Sequence, residues 1–314
     1  MTTAFIADPL CKEHDPGRGH PERVSRFDAV YDALTKAGLV AKMTPLPPRE
    51  VRVEDLHLAH TSAYVRLAEE EIHHGRDTLS TGDTAVSEHT WTAALRAAGS
   101  GFAAVAAVAT GKAQRAFCLV RPPGHHASAA RGMGFCVLNN IALAARYAQR
   151  RHGIGRVLIV DWDVHHGNGT QDIFYEDDSV FFFSTHQSPW YPGTGRADEA
   201  GAGKGVGTTL NCPLPAGSAR AEIFAAFEQK LLPAAEKFRP ELILISAGFD
   251  SRIEDPLGQF RLTDEDFADL TKLVSGISRE TTQGRVLSML EGGYNLRGLG
   301  SAAASHVTAL CLPQ

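Results

Sequence analysis

The chain has no pair of cysteines at redox or metal-binding spacing. Its five cysteines, Cys11, Cys118, Cys136, Cys212 and Cys311, are odd in number and scattered. That excludes a disulfide framework as the natural reading and suits a reducing, cytoplasmic setting. Positive charge is not in excess either: 31 Lys and Arg face 36 Asp and Glu, a formal net charge of −5. A chain that coats nucleic acid or anionic membrane is not built that way, so neither is expected as a direct partner. No apolar run reads as long enough to span a bilayer. The start, "MTTAFIADPL", lacks the basic region and apolar core of a signal peptide. Linkers, low-complexity segments and fixed-period repeats are missing too, so residues 1–314 are expected to form one domain.

What is present is a regular alternation. The runs "AFCLV" (116–120), "RVLIV" (156–160), "VFFFS" (180–184), "LILIS" (242–246) and "VLSML" (286–290) are almost continuously apolar. Strands covered on both faces read this way. "TAFIA" and "TTLNC" are weaker strand candidates. Helical patterns fall near 22–37, 61–73, 89–110, 137–150, 219–237, 264–282 and 300–311, with Ser218 and Asp264 as candidate N-caps. The proline-rich "TPLPPRE" (44–50) reads as a loop. Strands alternating with helices predict an α/β fold: a single open, mostly parallel sheet flanked by helices.

Ligands of such sheets bind beyond the carboxyl ends of the strands. There the five strong strands run into "RPPGHHA", "DWDVHHGNG", "THQSPWYPGTG", "AGFDSRIEDPLG" and "EGGYN". Five polar loops on one edge describe a site. Asp163 and His165 lie two apart in an extended segment and share a face. With Asp250 at another strand end they form a candidate metal set, and the donors suit zinc, Fe(II) or Mn(II). Asp161, one pleat deeper, could orient a histidine or hold a monovalent cation. His125 and His126, in a rigid Pro-Pro-Gly turn, are candidates for proton transfer. His73 and His74 also adjoin, but they end a charged helix and read as solvated. Tyr294, after two glycines, could donate to an oxyanion. "GAGKGVGT" (201–208) is not a phosphate loop, because Lys204 precedes Gly and the run leads into a strand.

Taken in order, "GHPERVSR", "RPPGHHA", "GFCVLNNIALAA", "VLIVDWDVHHGNGTQ", "PGTG", "LILISAGFD", "DPLG" and "LEGGYN" resemble the histone deacetylase family of the arginase–deacetylase fold, from about His20 to Tyr294. The likeness leans to class II and bacterial members, since Asn168 stands where class I carries Asp. It implies a zinc-dependent amide hydrolase acting on acyl-lysine in a protein or peptide. Carried onto these positions, Asp163, His165 and Asp250 bind Zn2+. His126 is general base and then acid, His125 is its electrostatic neighbour, Asp161 pairs with His125, Asn168 orients His126, and Tyr294 polarises the carbonyl. Gly134, Phe135 and Tyr191 line the tunnel, Leu257 sits at its rim, and Arg26, in the "HPERVSR" loop, lines an acetate exit channel. The resemblance also implies K+ near Asp161, Asp163, His165, Ser184 and Thr185, held partly through backbone oxygens. Tyr191 departs from the usual tunnel Phe. The rival readings are a deacetylase of acetylpolyamines or other small N-acyl amines, with Glu88, Glu254 or Asp255 reading the charge, and a non-catalytic acyl-ligand sensor. A dimanganese arginase-like site is disfavoured by the histidine pair.

Overall fold

The computed structural model describes residues 2–312. Eight strands form one parallel sheet: β1 (Thr3–Ala7), β2 (Thr44–Pro45), β3 (Arg115–Leu119), β4 (Val157–Asp161), β5 (Val180–Gln187), β6 (Thr209–Leu214), β7 (Leu242–Ala247) and β8 (Val286–Leu290). Their order is β2-β1-β3-β8-β7-β4-β5-β6. The five strong strand runs are therefore contiguous, β3-β8-β7-β4-β5, and their carboxyl ends meet at one edge.

Period-two alternation explains the near-continuous apolar runs. Val157 and Ile159 of β4 enter the core on one face, while Leu158 and Val160 enter the core on the other. The same split holds for Leu242 and Leu244 against Ile243 and Ile245 in β7. Helices Ser62–His73, Thr90–Ala109 and Asn140–His152 cover the first face. Helices Ser25–Lys36, Asp264–Thr281 and Leu296–Leu310 cover the second. Burial on both sides also aligns the strands rigidly, so the loops that follow them are held in fixed relation.

Several expectations need correction. The segment 219–237 is not one regular helix. It runs Arg220–Ala226, a π-helical turn Phe227–Leu231, and Leu232–Phe238. Pro233 lacks the N–H that an α-helix needs, and its ring crowds the carbonyl four residues back, so the turn widens. The caps also lie one residue away from those expected. Thr263, not Asp264, accepts from Asp266 N, and Glu222 reaches back to the N–H of Ala219, while Ser218 donates to Pro215 O. Thr44–Pro45, expected in a loop, pairs with β1. Helix Thr90–Ala109 is long and apolar enough to cross a bilayer by length and composition, contrary to the reading of the sequence. Most of it is buried here against the sheet. The short helices Val53–Leu56 and Asn168–Phe174 carry too little periodicity to be read from sequence.

Candidate active site and metal centre

β4 ends at Asp161, and the chain turns so that Asp163 and His165 face Asp250, three residues past the end of β7. Ligand-capable atoms of Asp163, His165 and Asp250 lie within 4.8 Å of one another, and all three residues are buried. His165 Nδ1 is 3.1 Å from Asp163 Oδ1 and 3.2 Å from Asp250 Oδ2. Only the first contact has hydrogen-bond geometry, and Asp250 Oδ2 is a buried oxygen with no hydrogen bond among the described residues. Two glycines clear this space: a Cβ on Gly248 would overlap Asp163 Oδ2, and one on Gly292 would overlap Asp250 Oδ2. An orphaned carboxylate oxygen beside an imidazole nitrogen and a second carboxylate fits a divalent cation. Burial lowers the affinity of His165 for a proton, but the hydrogen bond to Asp163 and the close carboxylates of Asp163 and Asp250 outweigh it and raise its pKa to about 10. Burial and the charge of Asp163 push Asp250 up to about 7. A divalent cation held by these atoms would compete with protons for them, so its affinity would fall with acidity.

The turn after β3 brings the histidine pair to the same place. His125 Nδ1 lies 2.9 Å from Asp161 Oδ2, and His126 Nδ1 lies 2.8 Å from Asn168 Oδ1. The environments of the two rings drive them apart. Burial opposes a proton on His125, but Asp161 and Asp163 override it and hold its pKa well above the ordinary value. Burial, then the charges of His125 and His165, hold His126 well below it. His126 is therefore neutral. Asn168 Oδ1 accepts from Nδ1, which leaves Nε2 with a free lone pair. Asn168 opens the helix Asn168–Phe174, so the "GNG" after the second histidine pair is a helix start aimed at His126.

A cavity of about 270 Å³ opens over these groups. His126, His165 and Tyr294 lie at its base, Gly134, Phe135 and Tyr191 on its walls, and Trp190, Pro256, Leu257 and Asp83 around its mouth. Gly134 is required to be glycine: its φ is 56°, and a Cβ would penetrate the His126 ring. Phe135 and Tyr294 meet edge to face at 5.9 Å, as do His126 and Tyr191 at 5.2 Å. Burial, and secondarily Asp250 and Asp163, hold the Tyr294 phenol well above its ordinary pKa despite Arg26, so it keeps its proton and can donate.

The remaining residues named from the sequence lie outside the lining of this cavity. Arg26 is in the first turn of helix Ser25–Lys36, not a loop, and it does not line the cavity. Fully buried, it donates from Nε to Gly293 O at 2.6 Å, and its guanidinium lies 5.0 Å from the Tyr294 ring centre. It supports the tyrosine loop from behind. Ser184 pairs in register with Asp161; its hydroxyl is 2.9 Å from His186 Nδ1, and the Thr185 side chain emerges on the opposite face of β5. Asp255 does not read charge at the rim, because its carboxylate accepts from the N–H groups of Leu257, Tyr294 and Asn295. Glu88 and Glu254 are exposed and outside the cavity lining. His73 and His74 are exposed, as expected. Two residues went unassigned in the sequence. Asp83 sits at the mouth, accepting from Gly134 N and Tyr191 Oη. Glu291 is fully buried between the strand ends.

The match to the family described as "Histone deacetylase domain" runs over residues 20–310. The chain belongs to the histone deacetylase family. It is accordingly an enzyme of the deacetylase class, with the arginase–deacetylase fold. It is 42% identical over 306 residues to "Histone deacetylase 10, chloroplastic" of Oryza sativa subsp. japonica, covering 92% of this chain and 69% of that one. It is 38% identical to a "Probable deacetylase" of Archaeoglobus fulgidus, covering 95% and 83%. It is 43% identical to "Polyamine deacetylase HDAC10" of Homo sapiens, covering 92% of this chain and 44% of the human one. Among solved structures, "Crystal Structure of HDA15 HD domain" superposes with a TM-score of 0.93 at 38% identity, covering 98% and 88%.

Proposed function

We propose that this histone deacetylase family member removes acetyl or other short acyl groups from lysine side chains, with Zn2+ held by Asp163, His165 and Asp250. The observation that carries the proposal is the neutral His126, fixed through Nδ1 by Asn168, sharing one cavity with His165 and a protonated Tyr294. Bound zinc supplies Lewis acidity, which lowers the pKa of water and polarises a carbonyl. The chain supplies the rest. His126 Nε2 takes a proton from the attacking water and then delivers it to the departing amine. Tyr294 donates its phenolic hydrogen to the oxygen that gains charge in the transition state. His125, kept cationic against Asp161, stabilises that negative charge through the field and holds His126 neutral. Phe135, Tyr191 and the Gly134 backbone hold the aliphatic stem and exclude water. K+ beside Asp161, Ser184 and Thr185 belongs to the same proposal and rests on the sequence resemblance.

A second reading, a small acylated polyamine as substrate, is favoured by one observation: the Asp83 carboxylate at the cavity mouth. A carboxylate there attracts a distant ammonium, and the human relative bears the name polyamine deacetylase. Against it, Leu257 offers the rim an apolar contact suited to a lysine stem and nothing to a charge. The expected result is a kcat/KM about tenfold or more higher, ~1.4 kcal/mol, on an acetyl-lysine peptide than on N8-acetylspermidine. Leu257→Glu is expected to move the ratio toward the polyamine. A wild-type preference for the polyamine, abolished by Asp83→Asn, would replace the first reading with the second.

A further inference from the structure

Taking the hydrolase reading as given, we infer that Glu291 is a positioning residue that holds the histidine turn in register with the tyrosine loop. Glu291 is the first residue after β8, between β3 and β7 in the sheet. Its N–H continues the ladder to Ala247 O at 3.1 Å, and its side chain is fully buried. Oε2 accepts from Gly124 N at 2.7 Å and His125 N at 3.2 Å. Oε1 accepts from Ser246 Oγ at 3.3 Å. One carboxylate thus grips the turn after β3 and the end of β7 at once.

The backbone that follows Glu291 reaches the remaining parts of the site. Gly292 N donates to Asp163 Oδ2 at 2.9 Å, and Gly292 O accepts from Phe249 N at 3.0 Å. Tyr294 comes two residues later. A shift of Gly124 relative to β8 therefore changes the separation of His126 from both Tyr294 and Asp163. Gly124 has no freedom to absorb such a shift another way. A Cβ there would lie 2.9 Å from Leu138 O, so the turn is already wedged against the segment leading to helix Asn140–His152. Glu291 does not itself line the cavity. It acts through the placement of the turn.

A positioning role depends on where the acceptor oxygen stands, not on its charge, and two conservative variants separate these. Glu291→Gln keeps an oxygen at the same reach for Gly124 and His125, and its amide can donate to Ser246 Oγ. Glu291→Asp keeps the charge but withdraws both oxygens by about 1.5 Å. The expected result is kcat within about threefold of wild type for Gln and about 10²-fold lower for Asp, with KM little changed, as for a small misplacement of reacting groups. Amide hydrogen exchange of the metal-free proteins gives a readout independent of turnover: residues 124 and 125 remain protected in Gln and lose protection in Asp. The reverse order, Asp active and Gln impaired, or wild-type behaviour of both, would overturn the assignment. If the wild-type protein hydrolyses no acyl amine, the functional reading fails, while the exchange comparison still decides whether Glu291 holds the turn.

Discussion

Replacing Tyr294 with phenylalanine is expected to leave the fold and the bound metal in place and to lower kcat by about 10²–10³-fold, or roughly 2.7–4 kcal/mol of transition-state stabilisation. The ring stays against Phe135 and under the Arg26 guanidinium, so the packing that shapes the cavity survives. Only the hydroxyl goes. Its high pKa makes it a donor throughout the neutral range, and the donation strengthens as the carbonyl oxygen gains charge. The loss should therefore appear in kcat more than in KM. Turnover near the wild-type level, with metal content unchanged, would make Tyr294 a packing residue.

His126→Ala is expected to cost about 10²–10⁴-fold in kcat, the usual range for a general acid–base, and His125→Ala distinctly less. The structure gives the two imidazoles different positions as well as different affinities for a proton. His126 lines the cavity and His125 does not. The His125 variant carries a second signature. Its positive charge is the largest influence after burial that lowers the pKa of His126, so its removal lets that pKa rise. The acid limb of the pH–rate profile, where the base becomes protonated, should then move to higher pH. Equal losses in the two variants, or an unmoved acid limb in His125→Ala, would remove the division of labour between them.

How much of this was legible in the sequence depended on the kind of interaction. The five central strands were readable because burial on both faces makes them apolar nearly throughout, with few polar residues inside each run. The candidate metal set and the histidine pair were legible as one cluster because they lie directly after those strands, where a parallel sheet puts its ligands. Asp83 was not, since it comes from a loop between two helices with no strand to aim it. Glu291 lay inside a motif that was noticed, yet its shortest hydrogen bonds come from the backbone N–H groups of Gly124 and His125, which carry no residue identity and leave no pattern. Asp255 was suspected of reading substrate charge. Its neighbours in sequence say nothing of direction, and the folded chain turns its carboxylate inward onto three N–H groups. Arg26 was assigned to an exit channel by likeness alone, and its contacts with Gly293 O and the Tyr294 ring come from the fold and leave no pattern in the sequence. The break in the helix after Ala226 was signalled by Pro233, which was passed over because the apolar period continues through it.

The central claim is that Asp163, His165 and Asp250 form a single divalent-metal centre on which amide hydrolysis depends. Its most direct measurement is metal content together with acetate release, for wild type and for Asp250→Ala, after chelation and titration with Zn2+. The expected result for wild type is one metal per chain, with acetate release from an acetyl-lysine peptide regained in proportion to occupancy up to that point. The expected result for Asp250→Ala is little bound metal and little activity at any zinc concentration the wild type needs. Full occupancy and turnover in Asp250→Ala, or a chelated wild type that hydrolyses as fast as the loaded one, would contradict it.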